Sequence, residues 1–99
     1  MREFRELGFE VRADLRAGLS AADFDTFLDQ WIDAVEARRL AFGGGGGSEQ
    51  GRFEGFVARL GRGSATDDDR VALDAFLDSA AAVARHEVFG LRDAWYGWD

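Results

Sequence analysis

The chemistry this chain could perform is bounded by a few side chains. Its 99 residues hold one imidazole, His86, and no cysteine. A two-histidine metal site and any thiolate site are excluded, because the ligands do not exist. Ser79, His86 and Asp93 could be written as a nucleophilic triad, but nothing in their spacing supports one. Glu87, beside His86, points to the opposite face of a strand, so His86 reads as an ordinary strand residue. Asp67, Asp68 and Asp69 fit the first turn of a helix, where negative charge is stabilising. They lack the glycine and terminal glutamate of a calcium loop. The glycine run 43–47 is not followed by Gly-Lys-Ser/Thr or by a helix N-terminus that would hold a phosphate, so it reads as a hairpin loop. No catalytic residue, metal or cofactor is expected, and the chain reads as a non-enzyme.

Interaction chemistry is better represented. All twelve basic residues are arginine, against 19 carboxylates, for a net charge of -7. Such a chain is repelled by phosphate at long range, so contact with nucleic acid requires a local arginine patch. Asp25, Asp29 and Asp33 stand at i, i+4 and i+8, with Glu36 close by. They form an acidic ridge that is either a solvated helix face or a surface for a basic partner. On the second reading the protein is an acidic interaction module or inhibitor, whose first helix engages a basic, nucleic-acid-binding partner.

The elements that must position these groups follow from periodicity. With 46% apolar residues and 13% aromatics, the chain is too hydrophobic to be disordered and is of a size for one domain, residues 1–99. No apolar run approaches the roughly 20 residues of a membrane span, and Met1-Arg2-Glu3-Phe4 does not open a signal peptide. Phe9, Val11, Ala13 and Leu15 alternate with Glu10, Arg12, Asp14 and Arg16, predicting a half-buried strand over 9–16. Ser20 caps a helix over about 20–38, whose stripe is Phe24, Phe27, Leu28, Trp31, Ile32 and Val35. Leu40-Ala41-Phe42 reads as a short strand and residues 43–48 as a flexible loop. Arg52 to Leu60 forms a second strand of that hairpin. Thr66 caps a second helix carrying Leu73, Phe76, Leu77 and Ala80. Val83 to Asp99 reads as a last strand bent at Gly90, although Ala80-Ala81-Ala82 would also continue the helix. The aromatic end, Trp95, Tyr96 and Trp98, would pack on the core or serve as a contact anchor. The order β-α-β-β-α-β gives an α+β, split βαβ (ferredoxin-like) fold, a four-stranded sheet with two helices on one face.

In that topology the first and third strands are central neighbours. Alternation in the third strand favours Phe56, Ala58 and Leu60 toward the helices and Gly55, Val57 and Arg59 outward. Arg12, Arg16 and Arg59 would then share the open face as the candidate binding residues, unless cross-strand pairing with Glu10 and Asp14 occupies them. Arg52, Gly55, Phe56 and Val57 partly resemble the third-strand motif of RNA-recognition domains. Phe53, Glu54 and Arg59 do not match it, and base stacking would require Phe56 on the open face.

Several short motifs together resemble one family. Glu3-Phe4-Arg5-Glu6-Leu7-Gly8-Phe9 looks like the opening motif of the YggL-like proteins. The helix leading into Arg39-Leu40-Ala41-Phe42, the glycine hairpin, Phe53-Glu54-Gly55-Phe56-Val57 and Asp93-Ala94-Trp95-Tyr96 are similar in order and spacing, over about residues 3–98. The resemblance implies a small cytoplasmic bacterial accessory protein without enzymatic activity that associates with the large ribosomal subunit. Members of that family carry a Lys/Arg-rich arm ahead of the opening motif, whereas this chain begins almost at the motif. With a net charge of -7, its ribosome binding is expected to be weak or lost if that arm supplies the phosphate contacts. The family supplies no residue-level site, so Arg12, Arg16 and Arg59 rest on the sheet-face reading.

Overall fold

Alternation along the first strand is carried into the fold. β1 spans Leu7–Leu15, and Phe9, Val11, Ala13 and Leu15 are buried on one face. In this computed structural model, residues 6–61 and 63–93 are described; Trp95, Tyr96, Trp98 and the first three residues of the opening motif, Glu3, Phe4 and Arg5, lie outside them. Helix α1 spans Ala21–Ala37, with the Ser20 hydroxyl accepting from the Asp23 amide. Its buried residues Phe24, Phe27, Trp31 and Val35 recur at helical spacing against the sheet. β2 (Leu40–Gly47) and β3 (Arg52–Arg59) form the hairpin, α2 spans Asp67–Ser79, and β4 (Val83–Val88) follows. A two-residue strand β5, Arg92–Asp93, pairs with the start of β1. The sheet order is β2-β3-β1-β4, with antiparallel pairing throughout. The four main strands and two helices give the ferredoxin-like α+β arrangement expected from the element order.

The core lies between the sheet and the helical layer. Trp31 meets Phe42 and Phe53 edge-on at 5.5 and 5.7 Å, and Phe27 stacks on Phe76 of α2 at 6.2 Å. α1 packs over β2 and α2 over β4. Arg38, the C-cap of α1, donates to Asp69 of α2 at 2.7 Å and ties the two helices together.

Two sequence expectations are corrected. The glycine run is strand and not loop: Gly43 to Gly47 pair one by one with Phe56 back to Arg52. Glycine carries no side-chain periodicity, so its strand character is set by pairing alone. Second, the register of β3 is opposite to the one expected. Phe9 lies opposite Val57 and Ala13 opposite Phe53. Cross-strand partners share a face, so Phe53 and Val57 face the helices while Glu54 and Phe56 face outward. The last strand begins at Val83 as expected, with Ala81 and Ala82 in a turn, and it is interrupted around Gly90 into β4 and β5.

Candidate functional site

The open face of the sheet is assembled from alternate positions of five strands. Register places Glu10, Arg12 and Asp14 of β1, Arg52, Glu54 and Phe56 of β3, Arg85 and Glu87 of β4 and Arg92 of β5 on it. Of the three expected binding residues, only Arg12 stands there. Arg59 pairs with the buried Leu40 and so projects from the helical side. Arg16 lies beyond the end of β1 and lines a hollow with Asp23 and Phe27 of α1. The three do not form a patch. For Arg59 the physical reason is the β3 register: Phe53 with Val57, and Phe56 with Ala58, are both apolar sets, and the pairing with β1 selects the first.

In place of that patch the face carries interleaved pairs. The Arg12 Nε donates to Glu10 at 3.1 Å and lies 3.5 Å from Glu54. Arg85 donates to Asp14 at 3.1 Å, and Arg92 lies 3.9 Å from Glu10. Two guanidinium groups also sit over rings: Arg12 over Phe89 at 5.2 Å and Arg92 over Phe56 at 5.3 Å from the centroids. Phe56 is only 5% exposed although it points away from the helices. Gly8 makes room for it, since a Cβ there would stand 2.5 Å from the ring edge and 2.4 Å from the Val57 carbonyl oxygen. The outward Phe56 required by the RNA-recognition motif is thus present, but its ring is buried and not presented for stacking.

Toward β2 the same face becomes bare. A shallow cleft of about 490 Å³ is floored by glycines 43–46 and walled by Glu10, Gln50, Arg52 and Glu54. A Cβ at Gly43 or Gly45 would meet nothing within 4 Å, and neither residue has a left-handed φ. Each glycine therefore costs the strand roughly 0.5–1 kcal/mol relative to alanine with no steric need inside the chain. β2 is an edge strand, and among the described residues it pairs only with β3.

The helical side is acidic. α1 carries Asp23, Asp25, Asp29, Asp33 and Glu36 without a basic residue, and α2 carries five aspartates and Arg70. The helices hold ten of the 19 carboxylates and one of the twelve arginines, so they carry -9, and the rest of the chain (eleven arginines, nine carboxylates) carries +2. Asp25, Asp29, Asp33 and Glu36 are exposed and have no ionic partner among the described residues.

The residues tested for catalysis are engaged structurally. His86 faces α2, its Nε2 2.9 Å from Asp74. The Ser79 hydroxyl donates to Ala75 and Phe76 carbonyls in its own helix. Asp69 completes a capping box with Thr66: each backbone amide donates to the other's side chain. Burial alone would push the Asp69 carboxyl up, but hydrogen bonds from Arg38 and from the Thr66 amide and hydroxyl together outweigh it and hold the group below its ordinary 3.8. Sequence reasoning missed Arg70, which donates to the Phe89 and Val88 carbonyls and to Asp67, fastening α2 to the end of β4. An arginine in the first turn of an otherwise acidic helix was the available signal.

Compared with known proteins, residues 1–96 match the family described as YggL 50S ribosome-binding protein. The chain belongs to that family. No curated protein and no solved structure matches it. The YggL assignment covers every described element, from β1 to β5. It therefore applies to the charged sheet face and to the acidic helical layer of this YggL-family chain alike.

Proposed function

We propose that this protein binds the large (50S) ribosomal subunit as a non-catalytic accessory factor and docks through the open face of its sheet, with Arg12 at the centre. Membership of the YggL 50S ribosome-binding family supports the partner. The observation that carries the choice of face is the division of charge: -9 on the two helices, against an open face on which Arg12, Arg52, Arg85 and Arg92 balance Glu10, Asp14, Glu54 and Glu87. A polyanionic partner repels the helical layer and tolerates the sheet, where Arg12, Arg85 and Arg92 stand with 57%, 83% and 41% of their side chains exposed. Their carboxylate partners hold the guanidinium groups in place while the protein is free, and phosphate replaces them on docking.

Cosedimentation with purified 50S subunits at low salt tests the reading. The wild-type chain pellets with subunits; Arg12→Glu combined with Arg85→Glu lowers the bound fraction about tenfold. The exposed pair Asp68→Lys and Asp78→Lys on α2 does not lower it. Absence of pelleting overturns the partner, and pelleting indifferent to the sheet-face reversal overturns the face.

A further inference from the structure

We propose that the outer edge of β2 accepts an extended basic peptide as an additional strand, with α1 lying over it as an acidic lip. The inference goes beyond subunit binding through the sheet face and does not depend on it.

Edge strands are ordinarily protected by charge, proline or bulges. At the other side of the sheet, β4 carries Arg85, His86 and Glu87. β2 reads Leu-Ala-Phe-Gly-Gly-Gly-Gly-Gly, without a charge or a proline in eight residues. Its glycines leave the main chain accessible: Gly43, Gly44, Gly45 and Gly46 are all exposed. An incoming strand would find the open-face side clear of side chains at Gly43 and Gly45.

The layer above the edge selects the occupant. α1 runs into β2 through a two-residue turn, and 17 helical residues and eight strand residues both span about 25 Å. Phe27 and Gln30 mark the flank of α1 that faces α2 and the α2–β4 turn. At 100° per residue, Leu28 and Ile32 lie on the opposite flank, above the β2 edge, and both are partly buried. Asp25, Asp29 and Glu36 follow them around the helix on that same side. A strand added to β2 thus meets first an apolar strip and then a row of unpaired carboxylates. That pattern suits a peptide with alternating apolar and Arg/Lys residues, bound through its main chain. A second copy of the chain suits it poorly. Two β2 edges paired about a two-fold axis would set two acidic α1 flanks against each other.

The probe is a blocked octapeptide of alternating valine and arginine, titrated into the full ¹⁵N-labelled chain. Saturable shifts are expected in the amides of residues 41–47. Methylating the backbone nitrogens of the valines, or alternatively of the arginines, should abolish binding for one of the two sets, because only alternate amides face the acceptor edge. Asp29→Lys combined with Glu36→Lys, both exposed, should weaken binding at least about fivefold, and a valine–glutamate peptide should not bind. Equal binding by both methylated peptides, or shifts centred elsewhere than β2, overturns the proposal. So does a concentration-dependent dimer, formed without peptide, in which the β2 amides are protected from exchange.

Discussion

At the scale of single residues, local geometry records where the fold is under strain. Among the described residues, Arg39 is the one non-glycine with a positive φ, +60°. It follows the C-cap of α1, its amide donates to the Glu36 carbonyl, and its own carbonyl accepts from Leu60. These bonds require a left-handed residue, the position at which helices commonly end in glycine. A Cβ in that region costs roughly 1 kcal/mol. The Arg39 side chain is exposed, with no ionic partner among the described residues to offset that cost. Arg39→Gly is therefore expected to raise unfolding stability by up to about 1 kcal/mol, seen as a higher urea midpoint at unchanged slope. A lower midpoint would mean that the arginine contributes more than its backbone costs.

At the scale of elements, the Thr66–Asp69 box and the Arg38–Asp69 pair join the end of α1 to the start of α2. The Asp69 carboxyl is held below its ordinary 3.8 in the folded state. Its contribution is thus fully present above that value and is lost as pH falls through the lower, folded-state value. Asp69→Asn should cost roughly 1–2 kcal/mol at pH 7, with the gap to wild type narrowing at a pH well below 3.8, where the carboxylate takes up its proton. Urea unfolding at the two pH values measures it, and a gap that persists in acid would exclude the charge as its origin. Much at this scale was legible in the sequence. The stripe Phe24, Phe27, Trp31, Val35 fixes α1, Thr66 with three aspartates fixes the start of α2, and the alternation from Phe9 to Leu15 fixes the inner face of β1. The face of β3 was not legible. Phe53 with Val57 and Phe56 with Ala58 are competing apolar sets, and the choice rests on the non-local pairing of Phe9 with Val57. The glycine strand left no signal because pairing, not side chains, defines it. The candidate site inherited both gaps: Arg12 was placed correctly from β1 alone, whereas Arg59 depended on the register of β3.

For the whole molecule, the separation of charge between layers governs how a polyanion can approach. An acidic helical layer and a sheet face built from paired charges predict few phosphate contacts and a shallow response to salt. If Arg12, Arg85 and Arg92 each exchange a carboxylate for a phosphate, two to three counterions are released. Raising salt from about 50 to 200 mM should then weaken 50S binding by roughly 10–50-fold, far less than the 10³–10⁵-fold of proteins that make six to ten phosphate contacts. Binding isotherms at four salt concentrations give the slope directly. A slope near two to three that falls by about one for Arg12→Gln fits docking through the sheet. A slope of six or more would require arginines beyond the four that the described residues place on this face, Arg12, Arg52, Arg85 and Arg92, each set among carboxylates. A slope near zero would transfer the contact to protein surfaces of the subunit, where the unpaired carboxylates of α1 have more to offer than the guanidinium groups of the sheet.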